Sequence, residues 1–177
     1  MSVESPAVDS AEFRRVLGRF ATGVTVVTTC QGARRAGITV NAFASVSLEP
    51  PLVLVCIERR NYAHDLIEQA GVFAINVLTA EQADVSRCFA SHSEAKLARF
   101  CDVTTHDEVT GAPVFDHCAG FVDCRLEAVY PGGDHSIFLG RVVALGGDDV
   151  PPLLYYRGKY GQLYENELEL GPSTAPQ

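Results

Sequence analysis

The sequence predicts a mainly β fold with peripheral helices, arranged as an antiparallel barrel. About seven strand-like segments rich in β-branched residues follow one another at short spacing, and only short helical segments separate them. No Gly-x-Gly-x-x-Gly follows a strand and opens a helix, which argues against a doubly wound nucleotide-binding sheet. The chain has 177 residues, 47% of them hydrophobic, which suits one domain with a core of its own.

The first elements are a helix and a hairpin. Asp9 is a suitable N-cap with Glu12 three residues later, and the helix is expected to end near Gly23. Its apolar residues recur at the spacing of one helix face: Phe13, Val16, Leu17 and Phe20. Residues 24–30 are mostly β-branched and predict a strand, and residues 31–37, with two glycines, predict a hairpin turn.

The middle of the chain alternates strands with short helices. Residues 38–48 are small and mixed, and the nearly wholly apolar segment 52–57 predicts a strand at the centre of a sheet. Residues 62–70 have helical spacing and are closed by Gly71. A strand at 72–78 follows, and Thr79 is expected to cap a helix that runs to Phe89.

The last third predicts a further helical turn within 94–100, a loop at 101–118 and a long hairpin. In 121–130, Val122 and Cys124 alternate with Asp123, which places Asp123 on the polar face. Residues 131–134 form the turn and 135–145 the returning strand, with a last strand at 153–156. Residues 1–8 and 165–177 are expected to be tails that flank a single domain at 9–164.

Charge and composition exclude several partners. A net charge of −8 argues against nucleic acid and anionic membranes as partners. The acidic, polar N-terminus is unlike a secretory signal, and the longest apolar run, 50–57, is too short to span a bilayer. We therefore expect a cytoplasmic protein whose six cysteines are reduced and mostly buried. No metal site is predicted, because no recognisable ligand set is complete.

Three segments carry residues suited to ligand binding. Residues 39–51 are small, with hydroxyls that suit contacts to a flat polar ligand, although the residue types alone favour an ordinary strand edge that the prolines end. Residues 58–61 offer two arginines that suit a phosphate or a solvated turn. His135 follows two glycines at the start of a strand, where it either faces a pocket or caps the turn.

Six segments in this order resemble the short-chain flavin reductase family, the reductase components of two-component flavin monooxygenases. They are RFATGVTVVTT (19–29), TVNAFASVSLEPPLVLVCI (39–57), HDLI (64–67), FAINVL (73–78), GGDHSIFLGRVV (132–143) and PLLYYRGKYG (152–161). The resemblance implies a split β-barrel that binds FMN or FAD and accepts hydride from NADH or NADPH. It also implies a homodimer that supplies reduced flavin to a partner monooxygenase.

The resemblance also implies site residues. Flavin contacts would come from Thr39, Val40, Asn41, Ala42, Ser45, Val46, Ser47, Cys56, Ile57, Phe89 and Ala90, and phosphate contacts from Arg59, Arg60 and Asn61. The nicotinamide would be bordered by Phe20, Gly23 and Tyr156, with His135 as the residue expected to act in catalysis. A flavin-binding or sensing module without turnover, or an oxidase with its own flavin, are the alternatives.

Overall fold

The computed structural model describes residues 8–91 and 99–163. Its helices are α1 (Ser10–Leu17), α2 (Tyr62–Ala70) and α3 (Ala83–Ala90), with a 3₁₀ turn at Phe100–Asp102. The first six strands are β1 (Thr22–Gly23), β2 (Thr25–Gln31), β3 (Arg34–Val40), β4 (Phe43–Leu48), β5 (Pro51–Glu58) and β6 (Val72–Val77). The others are β7 (Thr105–Asp107), β8 (Pro113–Phe115), β9 (Gly120–Gly132), β10 (His135–Gly146), β11 (Leu154–Tyr156) and β12 (Lys159–Gly161).

One antiparallel sheet of seven strands dominates the fold, in the order β3-β2-β6-β9-β10-β5-β4. Each of its strands places a side chain in the same hydrophobic core: Val27, Val40, Phe43, Val55, Ile75, Cys124 and Phe138. A flat sheet cannot bring its two ends into one core, so this sheet curls around it. The prediction of a mainly β, antiparallel fold with peripheral helices is confirmed.

Helix α2 closes over this sheet as its sequence predicts. The Asn61 side chain caps the helix by accepting from the N–H of Ala63, and Gly71 ends it in the left-handed conformation that glycine tolerates best. Leu66 and Ile67 are buried, and Ile67 belongs to the main core. None of the described helices is long and apolar enough to cross a membrane.

Helix α1 begins as predicted but ends earlier. Asp9 accepts from the N–H of Glu12, as the capping pattern predicts. The helix stops at Leu17 instead of near Gly23, because β1 forms at Thr22–Gly23 by pairing with β11. No residue of α1 is buried, so its apolar stripe is uncovered in this chain.

Several predicted boundaries differ from the structure. The predicted turn at 31–37 narrows to Gly32 and Ala33, because β3 already pairs with β2 from Arg34 onwards. The residue before α3 is Gln82, not Thr79, because Gln82 bends back so that its side-chain oxygen accepts from the N–H of Thr79. Strand β12 was not predicted, and most of the helical turn expected within 94–100 lies outside the described residues.

Strand β5 is not at the centre of the sheet. It lies between β10 and the edge strand β4, and its residues alternate between buried and half-buried. Val55 and Ile57 point into the core, whereas Leu54 and Cys56 lie on the opposite face, called the outer face below. An apolar run therefore reflects two different environments in this strand.

The predicted loop at 101–118 contains a small hairpin, β7–β8, which changes the environment of Asp123. This aspartate was placed on the polar face of its strand, but it is fully buried. Its carboxylate accepts from the N–H and the hydroxyl of Thr110, which satisfies both oxygens. The alternation of β9 is as predicted, but the β7–β8 hairpin covers the face of the strand that carries Asp123.

The prediction that all six cysteines are reduced is wrong for one pair. Cys88, in α3, and Cys101, in the 3₁₀ turn, form a disulfide across 13 residues. Cys30, Cys56, Cys118 and Cys124 are free thiols. Nothing in the local sequence signals the pair, because it depends on how the 3₁₀ turn packs against α3.

Candidate active site

A cavity of about 770 Å³ opens on the outer face of the sheet. Its lining includes five residues predicted to bind cofactors, namely Phe20, Gly23, Asn41, Ala42 and Cys56. The first two were assigned to the nicotinamide and the other three to the flavin. The structure thus brings both predicted halves of the site to one cavity of a size that suits a cofactor.

The two halves meet because distant segments pair. The N–H of Cys56 donates to the carbonyl of Ala42, which holds the β3–β4 connection against β5. The opposite wall is β1, which is fixed by its pairing with β11. The Asn41 amide donates to the hydroxyl of Thr22 at 3.4 Å and so links the two walls.

Ten further residues line the cavity and were not predicted from the sequence. They are Leu17, Ala21, Thr22, Thr25, Phe43, Ala44, Leu54, Val77, Pro152 and Leu154. Leu54 had a usable signal, because it lies two residues from Cys56 and shares its strand face. Leu154 had a similar signal, because it lies two residues from Tyr156 on the same strand. Pro152 had none, since its bridge to Thr79 brings it here.

The cavity is uncharged. Among the residues that line it, Cys56 alone carries a titratable side chain, and burial raises the pKa of its thiol. The thiol is therefore protonated at neutral pH and acts as a small apolar surface. Such a lining provides no general acid or base, so it suits a reaction in which bound cofactors carry the chemistry.

His135 lies near the cavity without lining it. It pairs with Glu58, two positions along β5 and β10 from the pair of Cys56 and Ile137, a distance of about 7 Å. The step of two residues keeps His135 on the same strand face as Ile137. The ring is partly exposed, and its Nδ1 lies 2.7 Å from the carboxylate of Asp134, an interaction that lowers the Asp134 pKa.

The predicted phosphate-binding turn lies beside His135. The N–H of Arg59 donates to the carbonyl of Asp134, which joins the two turns. Arg59 and Arg60 are exposed, whereas the side chain of Asn61 is engaged in capping α2. The sheet end therefore offers two guanidinium groups beside an imidazole.

Other predicted residues lie away from the cavity lining. The side chains of Val40, Ile57 and Phe89 are buried in the hydrophobic core. The Thr39 hydroxyl donates to the carbonyl of Ser86. The remaining predicted residues are on edge strand β4, at the end of α3 or on β11: Ser45, Val46, Ser47, Ala90 and Tyr156.

Residues 17–164 match the profile of the flavin reductase like domain, which is most of the chain. The chain belongs to the flavin reductase family. A relative from Rhodococcus jostii, the flavin-dependent monooxygenase reductase subunit HsaB, is 39% identical over 160 residues, covering 90% of this chain and 80% of the relative.

Two solved structures support this assignment to the flavin reductase family. Nitrilotriacetate monooxygenase component B from Mycobacterium thermoresistibile superposes with a TM-score of 0.87 at 34% identity, over 95% of this chain and 94% of the other. The Streptomyces globisporus NADH:FAD oxidoreductase SgcE6, in complex with NAD and FAD fragments, superposes with a TM-score of 0.83 at 34% identity, over 92% and 99%. The family resemblance predicted from six sequence segments is confirmed.

Proposed function

We propose that this protein is an NAD(P)H:flavin oxidoreductase that supplies reduced FMN or FAD to a partner monooxygenase. The observation that carries the proposal is the uncharged cavity in which Phe20 and Gly23 face Asn41, Ala42 and Cys56. The printed names of the relatives, an NADH:FAD oxidoreductase and a monooxygenase reductase subunit, describe the same chemistry.

The cofactors themselves supply hydride transfer, from nicotinamide C4 to flavin N5. The protein positions the two cofactor rings relative to each other. Ala42 and Cys56 allow a flat ring to lie close to the backbone, and Gly23 leaves room for a second ring, because nothing lies within 4 Å of a Cβ built there. Apolar neighbours such as Leu54 would exclude water from the two rings and restrict how they lie against each other.

The polar contacts are assigned to the ends of the site. Arg59 and Arg60 bind the flavin phosphate, and His135 orients the nicotinamide or stabilises charge on the complex. Thr39, Val40, Ile57 and Phe89 support the site from behind, because their side chains are committed to the core or to Ser86. The family resemblance assigns further contacts outside the cavity lining, to the flavin from Ser45, Val46, Ser47 and Ala90 and to the nicotinamide from Tyr156.

A homodimer completes the proposed site. Edge strand β4 exposes apolar side chains, with 90% of Leu48 and 48% of Val46 accessible. Apolar surface of this kind is unfavourable in water and is typical of subunit interfaces. Sedimentation equilibrium should give twice the monomer mass, and Leu48→Asp should shift the protein toward the monomer.

We place the protein in the cytoplasm, where nicotinamide cofactors are available. Fractionation of cells, followed by immunoblotting, should recover the protein with cytoplasmic markers. Recovery with membrane or secreted fractions would contradict this placement.

Mixing the purified protein with NADH or NADPH and free FMN or FAD tests the function. Loss of absorbance at the nicotinamide band is expected. No loss with any pair of cofactors would favour the binding or sensing module, and oxygen-dependent turnover of an organic substrate without nicotinamide would favour the oxidase.

The role of His135 has a separate test. His135→Ala should slow anaerobic reduction of the flavin by NADH, followed by stopped flow, because the nicotinamide loses an orienting contact. Glu58→Gln, at the paired position on β5, is the matched control and should leave the rate near that of the wild type. An unchanged rate in His135→Ala would remove the assignment.

A further inference from the structure

A second hollow, of about 560 Å³, lies beside the cavity at the end of α1. Four of the 14 lysines and arginines in the chain line it, although the protein carries a net charge of −8. They are Arg14, Arg15, Arg19 and Arg157. This arginine hollow is thus a local concentration of positive charge in an acidic protein.

Most of this charge is not neutralised by the protein. Arg15 forms a bidentate ion pair with Glu12 on the same helix. Within residues 8–91 and 99–163, no ion pair neutralises Arg14, Arg19 or Arg157. Uncompensated guanidinium groups around a concave surface attract an anion, and their planar donors suit phosphate oxygens.

The arginine hollow has a fixed geometry. The backbone N–H of Arg157 donates to the carbonyl of Gly18 at 2.8 Å, which holds the β11–β12 turn against the end of α1. A Cβ at position 18 would lie only 3.1 Å from the Arg14 carbonyl oxygen, so glycine suits the end of α1. The arginines therefore come from two elements that are connected through the backbone.

The hollow and the cavity share one short segment. Leu17 and Phe20 line the cavity, whereas Gly18 and Arg19, which lie between them in sequence, line the arginine hollow. A ligand with a ring in the cavity and an anionic group a short distance away can occupy both. NADH, NADPH and FAD have this form, because a diphosphate joins their two nucleotides.

We propose that the arginine hollow binds the diphosphate of a dinucleotide whose ring lies in the cavity. The inference rests on the proposed function and assigns it an anchoring site. Because the diphosphate is remote from the reacting atoms, its loss should weaken binding and leave the chemical step nearly unchanged.

The test uses Arg19→Ala and Arg157→Ala, with Arg34→Ala as the matched control. Arg34 is exposed on the β2–β3 hairpin and bonds only to Gln31 and Gln69 among the described residues. With FMN as acceptor, KM for NADH should rise on the order of tenfold at nearly constant kcat in the two hollow variants. Reduced nicotinamide mononucleotide, which lacks the diphosphate, should show no such rise.

A second arm identifies the source of the diphosphate. With reduced nicotinamide mononucleotide as donor, FAD is compared with FMN. A rise in KM for NADH alone assigns the hollow to the nicotinamide donor. A rise for FAD alone assigns it to the flavin and removes the assignment of the flavin phosphate to Arg59 and Arg60. Either result supports the proposal.

Binding is measured separately by calorimetric titration of ADP. Wild type and Arg34→Ala should bind with an affinity that falls as salt is raised, and the hollow variants should lose most of it. Unchanged KM values in both arms, with unchanged ADP binding, would overturn the inference while leaving flavin reduction intact. A wild-type protein that reduces no flavin would overturn the proposed function, and the ADP titration would still decide the inference.

Discussion

Helices α1 and α2 have similar sequence features, but α1 is exposed and α2 is partly buried. Each begins after a capping side chain, Asp9 in α1 and Asn61 in α2, and each carries an apolar stripe. Helix α2 buries its stripe against the curled sheet, including the fully buried Ile67. Helix α1 buries no residue and leaves Phe13 54% accessible.

The difference shows what hydrophobic periodicity can predict. It gives the helix and the face that avoids water, but it does not say what covers that face. In α2 the cover is the core of the same chain. At the end of α1, Leu17 borders the cavity and Arg19 the arginine hollow, so this helix contributes to binding surfaces.

The largest effect that tests this contrast comes from truncating each stripe. Ile67→Ala should lower the free energy of unfolding by about 2–5 kcal/mol, because it leaves a cavity in the core. Val16→Ala, the matched change in α1, should cost within about 0.5 kcal/mol. Urea denaturation of both variants measures the difference. A comparable loss for Val16→Ala that grows with protein concentration would instead place α1 in a subunit interface.

Removing the N-cap side chains of the two helices should produce a smaller difference in the free energy of unfolding than truncating their apolar stripes. Asn61→Ala should lower the free energy of unfolding by about 1 kcal/mol, because the N–H of Ala63 loses its partner in a helix that the core requires. Asp9→Ala removes the equivalent bond to Glu12, but α1 frays without exposing core, so global stability should hardly change. Hydrogen exchange should show faster exchange in α1 alone for Asp9→Ala, and equal global losses would refute the contrast.

The smallest predicted effect is a loss of α1 stability at low pH. The Arg15 guanidinium holds the pKa of Glu12 below its ordinary value of 4.5. A lowered folded-state pKa means that the pair stabilises α1 above about pH 4.5 and loses this contribution as the pH falls through the lowered pKa. NMR shifts of the α1 amides should follow this titration, and Glu12→Gln should abolish the step. Persistence of the step would assign it to another group.

Local sequence patterns predicted most of the fold. Alternation located β9, the turn at 131–134 located its partner β10, and helical spacing closed by Gly71 gave the bounds of α2. Contacts between distant segments were not predictable in this way. The burial of Asp123 depends on the β7–β8 hairpin, and the disulfide of Cys88 on the packing of the 3₁₀ turn.

The residues of the candidate site also divide into those that the sequence predicts and those that only contacts between segments reveal. The resemblance identified Phe20, Gly23, Asn41, Ala42 and Cys56, all of which line the cavity. It did not assign a role to Arg157, because this residue reaches the site only through the contact of the β11–β12 turn with Gly18. That contact joins two segments that are far apart in sequence.

A side chain that fills the cavity from position 23 would show whether hydride transfer occurs there. A side chain is sterically permitted there, because nothing lies within 4 Å of the added Cβ, so Gly23→Leu should fold normally and occupy the space assigned to the nicotinamide. Ala33→Leu, in the exposed β2–β3 turn, is the matched control.

Anaerobic stopped flow with NADH and bound or added flavin gives the decisive rate. Gly23→Leu should reduce flavin about tenfold more slowly than wild type, whereas Ala33→Leu should be unchanged. A folded Gly23→Leu protein that reduces flavin at the wild-type rate would show that hydride transfer does not occur in this cavity.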